Sequence, residues 1–552
     1  MNIHLIAFNC RYSHSCLALF YVRNELERHL PETRTALHQF TINDPYFETL
    51  LSITGSQADA WFFSVYIWNA SYLLRLLPDL HRVAPMVPIV LGGPQASALR
   101  EKLFFLPTVV HNEIEGVDRS FYRDLEQGRL QGEYWSAPGQ AFPSPYKQDD
   151  FQSQLKNRNI YYEASRGCPF FCAYCLSSLS RGVVAKDLDL VKAELLAILQ
   201  HRPSMIRFVD RTFNADPIRT LTIWRFLQEN APPGCSFHFE IAPDLFSEEM
   251  FGFLAGVEEG MFQFEIGIQS TSLETLKAIN RKMDVDKAMV VIRRLKTLGV
   301  IHLHADLILG LPMEDEFRFG QSVREVLAVQ PHYLQMGLLK ILPDTAIARQ
   351  VAEYGIVACQ EPPYQVMATR WLDHQALSRL YWLGECLEAF YNKRYFKTFF
   401  SYLIPTEGDI FSWFQGLSAL CARKGFYSLS KTQGFMNEIL FHYIQGHEQA
   451  PLLREFLIFD WLSCGHRFLP EVFDEDLAAP KEYLWLHAAE AIDGLYIAKE
   501  RNYFFKRGVF YRFSKAVLTH CGFFEHESDG VLGFITEHKC PVTTVVAVPV
   551  VR

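Results

Sequence analysis

The chain has 552 residues, with 53 basic and 62 acidic side chains and a formal net charge of −9. That length exceeds one ordinary domain, and the acidic balance argues against a nucleic-acid footprint spread over the whole chain. Hydrophobic residues make up 49% and charged residues 21%, which fits large buried cores and excludes a disordered chain. Twelve cysteines in a chain this long read as reduced thiols. No run of about 18 uncharged apolar residues is present, and the amino terminus lacks a basic start. A cytoplasmic protein without a membrane span is expected.

Short apolar runs at 3–8, 60–65 and 88–91 alternate with helical patterns, one over 15–30 and another opening at Tyr66-Ile67-Trp68-Asn69. This alternation predicts a doubly wound parallel sheet over residues 1–130, whose ligands would sit outside the carboxyl ends of the strands. The third run ends in Gly92-Gly93-Pro94, a tight turn or a place where backbone approaches a ligand. Residues 131–158, with Pro138, Pro143 and Pro145, have the composition of a linker.

Six further strands are expected at 160–164, 205–209, 237–241, 262–268, 303–309 and 333–339, with helices near 187–200, 216–229, 247–257, 284–298 and 316–328. Six β/α repeats over 159–342 make a partial TIM-like barrel, (β/α)6, with its working face at the strands' carboxyl ends. The first of these strands delivers the stretch Arg166-Gly-Cys-Pro-Phe-Phe-Cys-Ala-Tyr-Cys, in which Cys168, Cys172 and Cys175 are spaced C-x3-C-x2-C. Three thiolates on one loop suit a compact inorganic centre. Structural zinc takes four closed ligands, whereas an iron–sulfur cube held by three cysteines keeps one iron open. Polar residues gather at the strand ends: Asp210-Arg211-Thr212, Glu240, Glu265, Gln269-Ser270 and Gly310. A charge inside an apolar strand needs a partner or a ligand, so Glu240 and Glu265 are candidate site residues or barrel salt bridges.

The cysteine triplet, with Tyr174 before its last member and a barrel around it, resembles the signature of the radical S-adenosylmethionine (SAM) superfamily. The resemblance implies a 4Fe-4S cluster on Cys168, Cys172 and Cys175, whose open iron chelates SAM. It further implies SAM contacts at Tyr174, Glu240, Gln269, Ser270, Arg281 and Gly310. The usual Gly-Gly-Glu after the second strand is replaced by Asp210-Arg211-Thr212. The segments Asn9-x-x-Tyr12-x-His14, Tyr66-Ile67-Trp68-Asn69 and Leu91-Gly92-Gly93-Pro94 resemble the Rossmann-like cobalamin-binding domain that precedes many such barrels. That implies corrinoid contacts at Asn9, Tyr12, Tyr66, Trp68, Gly92 and Gly93. Tyr12 and Leu17 stand where an Asp-x-His-x-x-Gly motif would have Asp and Gly, so His14 reads as a polar contact and not a cobalt ligand.

Residues 343–552 are expected to be mostly helical (344–354, 374–392, 394–403, 408–424), with β structure at 531–536 and 543–551. This segment resembles an uncharacterised family appended to B12-type radical SAM proteins and would cap the site. Bases and aromatics interleave at 499–515, a pattern that stacks nucleobases or forms a twisted strand pair. Together these resemblances imply a cobalamin-dependent radical SAM methyltransferase fed by a flavodoxin or ferredoxin. A rearrangement or ring closure with the same cofactors, or RNA modification, would use the same parts.

Overall fold

The structure is a computed structural model, and it describes residues 1–179, 182–474, 477, 481–482, 485, 506, 508–523, 528–536 and 543–548. Six strands build the first sheet: β1 (Asn2–Asn9), β2 (Arg34–Thr41), β3 (Ala60–Ser64), β4 (Ile89–Gly92), β5 (Thr108–His111) and β6 (Glu133–Trp135). Their order is β2-β1-β3-β4-β5-β6, and every neighbouring pair is parallel. A sheet with helices on both faces needs strands apolar throughout, and Ile3–Phe8 and Ala60–Ser64 are buried along their length. The strand order reverses between β1 and β3, so the crevice for a ligand opens at the ends of those two strands.

Two expectations are corrected in this region. The helix expected from Tyr66 begins at Ala70, because 65–69 is a turn tied by Asn69. The Asn69 side chain accepts from the Tyr66 amide at 2.9 Å and donates to the Ser64 and Phe8 carbonyls at 2.9 and 3.3 Å. The expected linker over 131–158 contributes Glu133–Trp135 as the edge strand β6.

A second six-stranded sheet follows from β7 (Ile160–Tyr162), β10 (Met205–Phe208), β11 (Ser236–Glu240), β12 (Phe262–Gln269), β13 (His302–Leu309) and β14 (Tyr333–Leu338). Its order is β14-β13-β12-β11-β10-β7, and the neighbours from β7 through β13 run parallel. Alternate residues face the covering helices: Phe239, Phe262 and Phe264 pack around Trp224 of the helix Pro217–Asn230, with Phe208 stacked on Phe239 and Phe237 against Phe262. Much of the heavy Phe content therefore serves packing. Between β7 and β10 an antiparallel pair, β8 (Ser165–Cys168) and β9 (Gly182–Ala185), encloses the cysteine loop.

The described chain divides into two compact units, 1–316 with 337–377, and 317–336 with 378–552. In the first, the short pair β15 (Val357–Ala358) and β16 (Val366–Ala368) is antiparallel. The helix expected over 344–354 shrinks to Ala346–Arg349, with turns leading to Gly355. The second unit holds the helices Lys397–Thr406, Ile410–Arg423, Gln433–Ile444 and Ala450–Ser463. It also holds the antiparallel strands β17 (Gly508–Phe513), β18 (Gly530–Thr536) and β19 (Thr543–Val548). Most of the basic–aromatic stretch 499–507 lies outside the described residues, as do Cys540 and residues 549–551. Among the described residues no helix is long and apolar enough to cross a membrane.

Trp224 is fully buried, and its Nε1 has no hydrogen-bond partner among the described residues. Trp224→Ala is expected to cost about 3–5 kcal/mol through the cavity it leaves. Trp224→Phe should cost well under half of that, because no hydrogen bond is lost. The shift in urea midpoint of each variant measures both.

Candidate active site

The cysteine loop is anchored at both ends. Asp210, buried at the end of β10, accepts from the Ala164 amide at 3.0 Å and the Ser165 hydroxyl at 2.6 Å. Burial pushes its carboxyl up to about 6. Gly167 has φ +92°, and a side chain there would strike the Gly182 carbonyl, so β8 and β9 close only over glycine. Within the loop, Cys168 Sγ lies 3.5 Å from Thr212 Oγ1 and accepts from the Phe170 amide at 3.5 Å. Asn280 donates to the Phe171 carbonyl at 2.8 Å, and the Ala173 amide donates to the Ile279 carbonyl at 2.8 Å.

Arg281 leaves this segment and reaches back, with Nη1 3.7 Å from Cys172 Sγ and Nη2 on the Gly267 carbonyl. Burial raises the Cys172 thiol, and Arg281 pulls it down. Burial also raises the Tyr174 hydroxyl, which shares the field of Arg281, Cys172 and Cys175. Cys172, Tyr174, Cys175 and Arg281 thus form one electrostatic group. Among the described residues no three His, Cys, Asp or Glu side chains converge on a single-ion position. Three thiolates of a cube each take a different iron and stand apart accordingly.

The lumen-facing positions of the barrel strands are polar in register. Glu240 pairs with Glu265 across β11 and β12, and Glu265 with His304 across β12 and β13. His238 Nε2 is 2.9 Å from Glu265 Oε2 and 3.1 Å from Arg207 Nη2. Burial works against the Glu265 charge, but His238, His304 and Arg207 hold its carboxyl below the usual range. Among the described residues only Arg211 lies within ion-pair range of Glu240, at 3.6 Å, and burial pushes the carboxyl up to about 7. Asp306 is raised by burial against the pull of His304.

At the end of β12 the register shifts between Gly267 and Gln269, and Gln269 takes φ +72°. Its buried Oε1 has no hydrogen-bond partner among the described residues. Ser270, fully buried, donates to Glu314 at 2.6 Å and accepts from the Ser272 amide at 3.0 Å, so it ties the loop after β12 to the loop after β13. Gly310 has φ +90° at the end of β13 and packs near Val366 and Leu377.

In the first sheet, Asn9 is buried and donates to the His14 carbonyl at 3.2 Å. Tyr12 is exposed, with the Arg158 guanidinium 4.2 Å above its ring. Tyr66 and Trp68 stack at 4.3 Å and 6°, and Trp68 stays 43% exposed at the end of β3. Gly93 has φ +105°, and a Cβ there would lie 2.6 Å from the Val65 carbonyl, whereas one at Gly92 would meet only ordinary contacts.

The carboxyl-end loops of the first sheet meet the barrel. His14 Nδ1 pairs with the hydroxyl of Tyr161, and Arg158 donates to the His14 carbonyl at 2.7 Å. Tyr66 is raised by burial and feels Glu113 on its own side and Glu163 and Arg211 on the barrel side. The sequence singles out Arg166, Asn69 and Thr212 only as members of the cysteine, Tyr66–Asn69 and Asp210–Thr212 segments, without a role of their own, and His238, His304 and Asp306 not at all. The polar alternation His238/Glu240, Glu265/Gly267/Gln269 and His304/Asp306 was the available signal.

Residues 162–326 match the Radical SAM superfamily, and residues 352–491 match a family described as "Protein of unknown function (DUF4080)". The cobalamin-dependent radical SAM methyltransferase TokK of Streptomyces tokunonensis is 24% identical over 347 residues, covering 54% of this chain and 50% of that protein. The chain spans about half the length of the curated relatives it matches. Two solved structures share the fold. The radical SAM methyltransferase TsrM from Kitasatospora setae, with cobalamin and 4Fe-4S cluster bound, aligns with TM-score 0.52 and 14% identity over 65% of this chain and 78% of its own. The cobalamin-dependent radical SAM enzyme OxsB, with aqua-cobalamin bound, aligns with TM-score 0.55 and 14% identity over 84% and 78%.

The site yields a pH test. The unfolded chain ionises Glu240 near pH 4.5, while the folded chain keeps its proton to about pH 7. The native state therefore binds the extra proton in between, and stability falls as pH rises through that window. Glu240→Gln should be more stable than the parent at pH 8, with the advantage gone near pH 4.5, as read from unfolding temperatures across the range. By sequence, then, residues 162–326 are similar to radical SAM domains and residues 352–491 to the DUF4080 family.

Proposed function

We propose that the chain is a cobalamin-dependent radical SAM enzyme that transfers a methyl group to an unactivated carbon. The observation that carries this reading is the meeting of two parallel sheets at their carboxyl ends, through His14 and Tyr161 and around Tyr66. Ligands of both architectures sit at those ends, so two cofactors can border one space. TokK, by its name, is such a methyltransferase, and the TsrM structure holds both cobalamin and a cluster.

The residues present fit these groups. Cys168, Cys172 and Cys175 would hold the 4Fe-4S cluster, with Arg281 offsetting thiolate charge at Cys172. Gln269, with its buried and unpartnered Oε1, and Glu240, Ser270, Tyr174 and Gly310 would surround SAM. Exposed Trp68, stacked on half-buried Tyr66 beside the β1/β3 switch point, offers a flat apolar surface to a corrin, flanked by Asn9, Tyr12, Gly92 and Gly93. When bound, the cluster supplies the electron that cleaves SAM and the corrinoid supplies the methyl group; the protein's share is placement and exclusion of water. His14 is engaged with Tyr161, which suits a corrinoid held without a histidine ligand. Glu240, titrating near neutrality, can either donate or accept a hydrogen bond in the lumen and can meet an ammonium group. Reducing equivalents would come from a flavodoxin or ferredoxin.

Two experiments test the reading. Anaerobic reconstitution should give about four irons and four sulfides per chain. Replacing Cys168, Cys172 and Cys175 by Ala should abolish them while cobalamin uptake persists; stoichiometric zinc without iron–sulfur absorbance rejects the cluster. Trp68→Ala should weaken cobalamin binding about tenfold, as loss of stacking area implies. Phe104→Ala, at a still more exposed aromatic ahead of β5, should leave it unchanged, and equal effects of the two would reject the corrinoid site.

A further inference from the structure

Arg166 stands on β8, two residues before Cys168, and is bound on two sides. On the barrel side its Nε and Nη2 donate to Glu163 Oε2 at 3.1 and 2.8 Å. On the first-sheet side Nη2 donates to Glu115 Oε1 at 2.9 Å, and Nη1 lies 3.9 Å from Glu113 Oε2. Glu115 belongs to the short turn Ile114–Gly116 that follows β5. The guanidinium lies over the rings of Phe142 at 4.2 Å and Tyr21 at 4.9 Å.

The ion pairs are largely out of solvent: the side chains of Arg166, Glu115 and Glu163 are 15%, 6% and 17% exposed. One cation thus serves three carboxylates from two structural layers. Without it, Glu115 and Glu163 would lose the cation they share in a low-dielectric space, with Lys186, already paired with Glu194 at 2.8 Å, left as a cation acting on Glu163, and their repulsion would push the layers apart. A lysine keeps the charge, but its point-like ammonium cannot span Glu115 and Glu163 while lying flat between two rings.

We infer that Arg166 is a positioning residue that fixes the distance between the cysteine loop and the carboxyl-end loops of the first sheet. The inference rests on the functional reading above for its purpose, since a methyl donor and a radical source must keep a set separation from one carbon. The clamp itself rests only on the contacts named.

Hydrogen–deuterium exchange of the full chain tests the clamp without any cofactor. Arg166→Met should speed exchange about tenfold or more in both 112–117 and 165–175, the change expected when charge-assisted bonds are lost. Glu115→Gln, a milder change made only on the first-sheet side, should speed exchange in 165–175 as well. A merely local role for Arg166 would confine that effect to 112–117. Wild-type exchange in 165–175 for both variants, or an effect of Glu115→Gln limited to its own turn, overturns the clamp. In protein loaded with cluster and cobalamin, the magnetic coupling between the reduced cluster and cob(II)alamin should weaken in Arg166→Lys with both cofactors retained. Unchanged coupling in that variant also overturns it. Failure of the wild-type chain to take up cobalamin would reject the proposed function, while exchange still decides the clamp.

Discussion

The carboxylate of Asp210 fixes the place where the two parallel sheets of the first unit come together. By accepting from Ala164 and Ser165 it ends β7 and starts β8 at one point beside β10. Everything that concerns the thiols follows from that point. Gly167 can then close on Gly182, Cys168 comes beside Thr212, and Arg166 is delivered to Glu163. On the other side of β7, Arg158 and Asn159 hold the loop after β1 through the carbonyls of His14 and Ser13. The nine residues from Arg158 to Arg166 therefore reach the first sheet at both of their ends.

The barrel lumen shows how an apolar scaffold tolerates charge. Alternation puts Phe237, Phe239, Phe262 and Phe264 against helices, and it obliges His238, Glu240, Glu265 and His304 to share the opposite face. Glu265 is stabilised by two histidines and Arg207, whereas Glu240 faces a half-exposed arginine only. Unequal compensation separates two carboxylates of adjacent register, one ionised and one titrating near neutrality. Such a lumen offers a ligand different protonation states along one row.

Long, fully buried strands were legible from sequence because nothing else reads as a short apolar run bounded by turns. The barrel strands and their helices fall within a residue or two of expectation, except that the helix expected over 247–257 ends at Leu254. Edge strands were not legible. Arg34–Thr41 is half-polar and only partly buried, and Glu133–Trp135 is three residues long within a proline-rich stretch. The cysteine triplet announced its chemistry by spacing alone, and the Tyr66–Trp68 pair by its place after a strand. Arg166 gave no such signal, since its meaning lies in partners about fifty residues away. Gln269 was visible by type, but not the left-handed backbone that buries its amide.

The way the chain threads its two units bears on its synthesis. The first sheet is built from consecutive strands and needs nothing downstream, so it can close while the rest is still being made. The second unit takes 317–336 early and completes itself only with residues from 378 onward. In the helix Glu316–Ala328, Phe319, Val323, Val326 and Leu327 are buried in the finished protein. At translation rates of roughly 5–20 residues per second, that apolar face waits for several seconds before its partners emerge. Apolar surface exposed for such an interval is what chaperones bind and what lets a stalled chain aggregate.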